Sequence, residues 1–259
     1  MSSSRKLHHI HSFHPKIFLD TYFSGKPEMV FTGEVLKFPA QKIDNVLRSE
    51  LEEGACVIDA SISATLHHLF LVSYLFKEIT LLRVSERCIM ELRKWLDSHS
   101  EAFDWSHIST GMADLQGQRD DWQEKEMQLR SAIKEILKFD ITKENPTDPI
   151  VLPQADCVIT MWILDSTSTN EDEYMTTLRK MMKFVKPGGL LLVIATVNGT
   201  YYKVGEDTMH VFQHDENFVK NAVTKEGFTV THCEVLARTS KSDLADYKGM
   251  SFVAARKVR

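Results

Sequence analysis

Cysteine and long apolar runs are scarce in this chain of 259 residues. The four cysteines stand far apart with no Cys-x-x-Cys pair, so their spacing indicates neither a zinc site nor a disulfide framework, and small buried hydrophobes describe them best. The longest apolar run, around 190–197, is far shorter than the roughly 18 residues of a membrane span. No apolar block of a secretory signal follows the first methionine. These absences predict a soluble, cytoplasmic protein that does not bind membranes.

The sequence also lacks a concentration of positive charge. Its 31 basic residues are scattered among 36 acidic ones, for a net charge of −5. A nucleic-acid-binding protein normally gathers lysine and arginine on one face, so we expect no nucleic-acid partner. With 43% apolar residues, the chain can bury a core without help from disulfides or metal. Nothing in the sequence indicates the oligomeric state.

No linker rich in glycine, serine or proline divides the chain, and no internal repeat is visible. We therefore predict a single domain over 1–259, with a helical N-terminal extension, 1–50, that forms a lid within it. Apolar runs alternate with segments of helical period, which predicts an α/β fold with helices on both faces of a parallel sheet. Strands are expected at 55–59, 78–84, 136–141, 155–161, 190–197, 228–236 and 251–255. Helices are expected at 64–76, 86–98, 123–133, 170–185 and 216–226, and exposed loops at 142–153 and 238–248.

The first loop of this predicted sheet contains no glycine. In a doubly wound sheet the ligand lies beyond the carboxyl ends of the strands, here those beginning near Ala55 and Glu78. A nucleotide cofactor needs glycines in the first loop, and an acidic residue at the end of the second strand to bind the ribose. The loop 59–65 instead reads Asp-Ala-Ser-Ile-Ser-Ala-Thr, and the second strand ends at Arg83. Both requirements fail.

Arg83 has two further interpretations. An arginine at this position binds a ribose 2′-phosphate in some dehydrogenases. Without glycines in the first loop, however, a pyrophosphate has nowhere to lie. We therefore expect Arg83 to form an ion pair with Glu86 or with another acidic neighbour at the edge of the sheet.

Eight short stretches show a resemblance to a known family. The chain from about residue 12 to 256 resembles the vertebrate small-amine methyltransferases, the nicotinamide, indolethylamine and phenylethanolamine N-methyltransferases that use S-adenosylmethionine. The resemblance implies a class I methyltransferase fold, a Rossmann-like seven-stranded sheet whose last strand is antiparallel. The stretches are Phe-His-Pro-Lys-Ile-Phe-Leu at 13–19, Phe-Lys-Glu-Ile at 76–79, Glu-Leu-Arg-Lys-Trp-Leu at 91–96, Glu-Ala-Phe-Asp-Trp-Ser at 101–106, Leu-Lys-Phe-Asp-Ile-Thr at 137–142, Ala-Asp-Cys-Val at 155–158, Lys-Pro-Gly-Gly at 186–189 and Tyr-Tyr at 201–202.

The cofactor residues that the resemblance implies are largely replaced. The family's Gly-Ser-Gly loop, the aromatic residue after it, its ribose-binding acid and a nearby asparagine correspond to other residue types here. The replacements are Ser61, Ile62, Ser63, His67, Arg83 and Cys88. Only Asp140, at the position that contacts the adenine ring, is retained.

The substrate pocket that the resemblance implies becomes less polar. Two tyrosines, an aspartate and a serine of the family correspond to Phe18, Phe23, Ala195 and Val211, whereas Tyr22, Asp165 and Tyr202 are retained. Buried polar groups are costly once their ligand is gone, so loss of a ligand permits such replacements. Either side chains fill the vacated volume, with Ile62, His67, Met161 and Trp162 as candidates, or an apolar small molecule occupies it.

Typical free energies indicate how much these replacements should weaken cofactor binding. Roughly 8 kcal/mol holds a micromolar ligand. A hydrogen bond to a charged acceptor supplies about 1.5–3 kcal/mol. The side chains of Ser61 and Ser63 lie in a loop that prefers glycine, and each is expected to cost about 1–3 kcal/mol of strain. We therefore expect millimolar or weaker binding of S-adenosylmethionine, no cofactor and no catalytic residues.

The sequence thus predicts a catalytically inactive homologue that serves as a structural or small-molecule-binding protein. The alternative is a divergent N-methyltransferase that uses S-adenosylmethionine on a small amine or pyridine. In that case proximity and alignment would carry catalysis, and the residues to substitute are Tyr22, Asp140, Asp165 and Tyr202.

Two histidine clusters raise the question of a metal site, because imidazole is a common ligand of transition metals. One comprises His8, His9, His11 and His14, and the other is the pair His67 and His68. We interpret them as a solvated tail and a surface pair, and assign no metal site.

Overall fold

Seven strands form one sheet in the order β3-β2-β1-β4-β5-β9-β8. The computed structural model describes residues 13–25, 32–117 and 121–258. Strands β1 to β5 run parallel, β9 lies antiparallel between β5 and β8, and a separate hairpin joins β6 to β7. This is the predicted seven-stranded sheet with its last strand antiparallel. The strands are β1 (Ala55–Ser61), β2 (Phe76–Arg83), β3 (Ile133–Lys138), β4 (Ala155–Met161), β5 (Val185–Val197), β6 (Tyr201–Val204), β7 (Asp207–His210), β8 (Phe228–Ala237) and β9 (Gly249–Lys257).

Helices cover both faces of the sheet. They are α1 (Pro15–Phe23), α2 (Phe38–Glu50), α3 (Glu86–Leu96), α4 (Ser106–Leu115), α5 (Trp122–Ala132), α6 (Ile163–Thr167), α7 (Glu171–Lys183) and α8 (Phe218–Lys225). A π-helical turn (Thr32–Lys37) precedes α2, and two 3-10 turns (His67–Leu69 and Ser73–Leu75) lie between β1 and β2. None of the helices in the described ranges is long and apolar enough to cross a membrane.

The central strands divide the core into two layers because successive side chains of a strand point to opposite faces. On one face, Ile159 and Ile194 pack with the residues from α1 to α5 and the segment that joins β1 to β2. On the other face, Val158 and Val193 pack against α6, α7 and α8. Strands buried on both faces are typical of parallel sheets, which explains their nearly continuous apolar sequence.

Local sequence explains how α7 begins and ends. The Asn170 side chain accepts a hydrogen bond from the Glu173 amide at 3.0 Å, which caps the first turn. Three acidic residues occupy that turn, and Lys180 and Lys183 occupy the last one. Acidic residues near the N-terminus of a helix and basic residues near its C-terminus both interact favourably with the helix dipole.

The predicted helix at 64–76 is wrong. The structure instead has two 3-10 turns within a buried irregular segment, 62–75. Leu66, Leu69 and Phe70 have no exposed surface, and His67 and His68 are equally buried. The segment therefore packs as part of the core.

Other differences are smaller. Strand β3 begins three residues before its predicted start and ends three before its predicted end, so the chain enters the loop already after Lys138. Helices α4 and α6 and the hairpin β6–β7 were not predicted, because short elements carry little periodic signal. The loops expected at 142–153 and 238–248 contain no helix or strand.

Candidate cofactor and substrate cleft

Asp59 and Arg83 form a buried ion pair at the carboxyl ends of β1 and β2. Asp59 lies beside Leu81 in the parallel ladder, and Arg83 is two residues further along on the same face. This register brings Arg83 Nη2 to 2.8 Å from Asp59 Oδ2. Both side chains are at most 1% exposed. The expected ion pair is therefore present, but Glu86 is not its partner and the pair lies inside the sheet instead of at its edge.

The Arg83 guanidinium also binds the loop that follows β1. Nη1 donates to the carbonyl oxygens of Asp59 and Leu82 at 3.0 and 2.9 Å. Nη2 donates to the carbonyl of Thr65 at 3.0 Å. Arg83 thus links the end of β1, the end of β2 and the first loop. The guanidinium group lies at the strand ends, where the resemblance places the ribose-binding acid.

Two more side chains complete the surroundings of the Asp59 carboxylate. His68 Nε2 lies 2.7 Å from Asp59 Oδ1, and the Ser61 hydroxyl donates to the same oxygen at 2.7 Å. Burial by itself would raise the pKa of Asp59, but the electrostatic effect of His68 and Arg83 and these hydrogen bonds lower it to about 2. The carboxylate is therefore ionised, and it neutralises a buried cation.

The backbone of the first loop is strained at only one of its two serines. Ser63 adopts φ 58°, the left-handed region that favours glycine, whereas Ser61 is the last residue of β1 and pairs with Met161. The expectation of strain at both positions is therefore wrong for Ser61. A side chain at Ser63 fits, at a cost of about 1–3 kcal/mol.

Histidine 67 occupies the interior and not the surface. Its ring lies 4.9 Å from the Phe23 ring and stacks on Trp162 at 6.3 Å, measured between ring centres. Burial and the neighbouring His68 lower the pKa of His67 well below its ordinary value, so the ring is neutral. The interpretation of His67 and His68 as a surface pair is wrong, since both are fully buried.

The remaining residues of the predicted cofactor site divide into two groups. Ile62 and Cys88 are buried beside the first loop, and burial raises the pKa of the Cys88 thiol to about 12. Asp140 lies apart, half-buried on the loop after β3. One of its oxygens accepts from the Thr142 amide and hydroxyl at 3.0 and 2.6 Å. The retained carboxylate thus closes a local turn.

Most residues of the predicted substrate pocket line a small cavity of about 60 Å³. One water molecule takes up roughly 30 Å³ in the liquid, and ligand pockets measure about 300–1,000 Å³. The predicted residues that line it are Phe18, Tyr22, Trp162, Asp165, Tyr202 and Val211, together with Ile62. Phe23, Met161 and Ala195 are buried nearby but do not line the cavity.

The three retained polar groups of this pocket all have partners within the chain. The Tyr22 hydroxyl lies 2.9 and 3.1 Å from the carbonyl oxygens of Lys203 and Leu244. Asp165 accepts from the Thr196 amide at 2.8 Å, and its other oxygen lies 3.2 Å from His214 Nε2. Hydrogen bonding with Ser166 works against the effect of burial on the pKa of Tyr202, which nevertheless stays well above its ordinary value.

Sequence reasoning missed Asp59 and His68 as members of the site. The ion pair of Asp59 with Arg83 did carry a signal, because these residues are an acid and a cation at the ends of two neighbouring predicted parallel strands. His68 carried no such signal, because the helix expected at 64–76 hid its position.

Of the N-terminal histidines, His8, His9 and His11 lie outside the described residues. His14 lies within about 3.4 Å of Arg87. Among the residues described, no group of three histidine, cysteine or acidic side chains is arranged to hold a metal ion.

Comparison with known proteins identifies the family. The profile of the NNMT/PNMT/TEMT family matches residues 3–258. The chain belongs to the NNMT/PNMT/TEMT family. It is 31% identical over 246 residues to the nicotinamide N-methyltransferase of Homo sapiens, an alignment that covers 95% of this chain and 93% of that protein. It is also 31% identical over 245 residues to the indolethylamine N-methyltransferase of Mus musculus, with coverage of 95% and 93%.

Solved structures support the fold independently of these sequences. Magnesium protoporphyrin IX methyltransferase from Synechocystis, crystallised with bound SAH, superposes with a TM-score of 0.56 at 12% identity. The superposition covers 93% of each chain. This member of the NNMT/PNMT/TEMT family therefore has the class I methyltransferase fold that its sequence predicts.

Proposed function

We propose that this protein is a catalytically inactive member of its family that no longer binds S-adenosylmethionine and serves as a structural or small-molecule-binding protein. One observation supports the proposal above all others. The Arg83 guanidinium, paired with Asp59 and bonded to the Thr65 carbonyl, fills the strand ends where the family resemblance places the cofactor ribose. The chain supplies its own occupant for that position.

The residues present do not fit an adenosyl group. To admit one, Arg83 would have to leave Asp59, and removing one partner of a buried ion pair costs about 3–5 kcal/mol. That cost is about half of the roughly 8 kcal/mol that hold a micromolar ligand. A sulfonium would moreover meet the positive charge of Arg83. We derive no catalytic step through this cofactor.

The loop before the cleft supports the same proposal. Helix N-termini bind anionic groups through free amides and the helix dipole, but the segment after the first loop contains two three-residue 3-10 turns in place of a helix. The chain therefore offers no helix N-terminus at the end of β1 to a carboxylate or phosphate.

Calorimetric titration with S-adenosylmethionine and with its demethylated product tests the proposal. We expect dissociation constants weaker than about 1 mM, which corresponds to less than roughly 4 kcal/mol of binding free energy. A constant below about 100 μM for either compound would contradict the proposal, because it requires about 5.5 kcal/mol from a site that Arg83 occupies.

Family membership keeps a second function open, that of a divergent N-methyltransferase acting on a small amine or pyridine. The retained residues Tyr22, Asp140, Asp165 and Tyr202 favour it. Incubation with labelled S-adenosylmethionine and a panel of pyridines, indolethylamines and catecholamines tests it, with the human nicotinamide N-methyltransferase as positive control. Label transfer above the rate without protein would establish this function and overturn the first.

The apolar cleft also suggests carriage of a small molecule. A cavity of about 60 Å³ favours side-chain packing over a resident ligand. Native mass spectrometry of protein from its natural source distinguishes the two cases. A stoichiometric mass increment would show a passenger, and the bare chain mass would leave the structural role.

A further inference from the structure

Three segments of the chain form the roof of the 60 Å³ cavity. Helix α1 contributes Tyr22, the π-helical turn contributes Val35, and the loop 238–248 contributes Ala245 and Tyr247. The two hydrogen-bonding distances from the Tyr22 hydroxyl already connect α1 to β6 and to the loop. A second connection, between the turn and the loop, is made by one carboxylate.

That carboxylate is Glu34, which is buried and bridges more than 200 residues of sequence. Its Oε1 accepts from the Thr239 amide at 2.5 Å, the Thr239 hydroxyl at 2.8 Å and the Ser240 amide at 2.9 Å. Its Oε2 accepts from the Ser240 hydroxyl at 3.3 Å and from the Tyr247 hydroxyl. One side chain thus accepts five hydrogen bonds, all from the loop.

Arg238 holds the loop in the conformation that receives Glu34. Its guanidinium donates to the carbonyl oxygens of Ala245 and Tyr247 at 2.7 and 3.1 Å and to Ser240 at 2.9 Å. It also lies 4.6 Å from the centre of the Tyr247 ring. The amides and hydroxyls that bind Glu34 are therefore preorganised, and they present a ready site for a carboxylate.

We propose that Glu34 is a latch, which holds the π-helical turn against the loop 238–248 and thereby limits the access of solvent to the cleft. When the carboxylate leaves its five donors, the turn and the loop separate, and the path to the cavity and to the residues beneath it widens. Whether the cleft can bind an adenosyl group is a separate question, because Glu34 bonds to Thr239 and Ser240 of the loop 238–248 whereas Arg83 bonds to Asp59 and Thr65.

The chain contains its own reporter of such opening. The Cys88 thiol is 1% exposed and lies near the Ser63 and Ser85 hydroxyls and near Tyr202, which lines the cavity. Cys157 is fully buried in the middle of β4 and serves as the reporter of global unfolding. Local and global opening therefore expose different thiols.

The experiment is alkylation of the full-length native protein with iodoacetamide, with the rate at each cysteine followed by peptide mass spectrometry. We expect Glu34→Ala to raise the rate at Cys88 about tenfold or more, as a local opening would, and to leave the rate at Cys157 within about twofold of the parent. Glu34→Gln keeps one acceptor oxygen and loses the charge. Its alkylation rate at Cys88 should therefore lie between the rates in the parent and in Glu34→Ala.

Asp156→Asn is the matched control. Asp156 also accepts two close hydrogen bonds, from the Cys56 amide and from Lys186, both at 2.8 Å, but at the opposite end of the sheet. The Asp156→Asn substitution should leave the alkylation rate at Cys88 unchanged. The latch is refuted if Cys88 in the Glu34 variants reacts no faster than in the parent, or only in step with Cys157. A rise of equal size in Asp156→Asn would refute it as well. Should Glu34→Ala fail to fold, the comparison rests on Glu34→Gln.

Discussion

At the scale of single residues, one cation determines the polar contacts at the ends of β1 and β2. Arg83 and Asp59 neutralise each other in a volume that excludes water, where an unpaired charge is costly. His68 and Ser61 take up the other carboxylate oxygen. The polar groups at the strand ends are consequently directed at one another.

Replacement of Arg83 by methionine should destabilise the protein severely. The variant leaves the Asp59 carboxylate buried without its ion-pair partner, and we expect a loss of about 3–5 kcal/mol in the free energy of unfolding. Urea denaturation followed by circular dichroism measures the change. Arg179→Met is the control, because Arg179 pairs with Glu226 at 2.9 Å while half exposed. It should cost less than about 1 kcal/mol, and equal losses in the two variants would contradict the account.

Acid should weaken the fold through Asp59. Its pKa falls from an ordinary 3.8 to about 2 in the folded protein. The stabilisation is complete above about pH 4 and is lost as pH falls toward 2, because the unfolded chain takes up the proton first. We expect about 2 kcal/mol of this loss to come from Asp59.

The measurement is urea unfolding at several pH values between 5 and 2, in the parent and in Asp59→Asn. The parent should lose about 2 kcal/mol more than the variant over this range. Equal losses of unfolding free energy in the two proteins would show that the pKa of Asp59 is not lowered in the folded protein.

At the scale of elements, the segment between β1 and β2 has become part of the core. Leu66, Leu69 and Phe70 have no exposed surface, whereas Tyr74 is 39% exposed. An amphipathic helix would have presented a polar face instead. The first loop therefore leads directly into buried, irregular chain.

Truncation of Phe70 should reveal this packing. The ring lies 6.1 Å from Trp95 and 6.0 Å from Trp105, measured between ring centres. Phe70→Ala should cost about 3–5 kcal/mol in the free energy of unfolding. On the same segment Tyr74→Ala should cost less than about 1 kcal/mol. Urea denaturation of both variants decides the matter, and a small loss for Phe70→Ala would show that the segment is loosely packed.

Much of the sheet could be predicted because buried parallel strands carry a strong apolar signal. Strand β4 was predicted at its observed bounds. The segment 62–75 could not be, since its apolar residues fit a buried helix as well as buried irregular chain. The same limit applies to the site, where replacement of the glycines and of the ribose acid stays a prediction from the family resemblance. Only the register of β1 with β2 reveals that Arg83 and Asp59 pair.

At the scale of the whole molecule, the family fold is retained, and a cavity of about 60 Å³ lies beneath α1, the π-helical turn and the loop 238–248. Aromatic side chains of α1 pack together and against the β6–β7 hairpin: the Phe18 ring lies 4.9 Å from Tyr22, 5.9 Å from Phe23 and 6.1 Å from Tyr202, measured between ring centres. Tyr22 joins α1 to the loop 238–248, and Glu34 joins the π-helical turn to the same loop. These contacts hold the three segments of the roof together around the cavity.

The most direct measurement is a crystal structure determined with several millimolar of the demethylated cofactor in the crystals. The account predicts that the Arg83 guanidinium remains within hydrogen-bonding distance of Asp59 and of the Thr65 carbonyl, with no nucleoside at the strand ends. Electron density for adenosine across the ends of β1 and β2, with Arg83 swung away from Asp59, would contradict it.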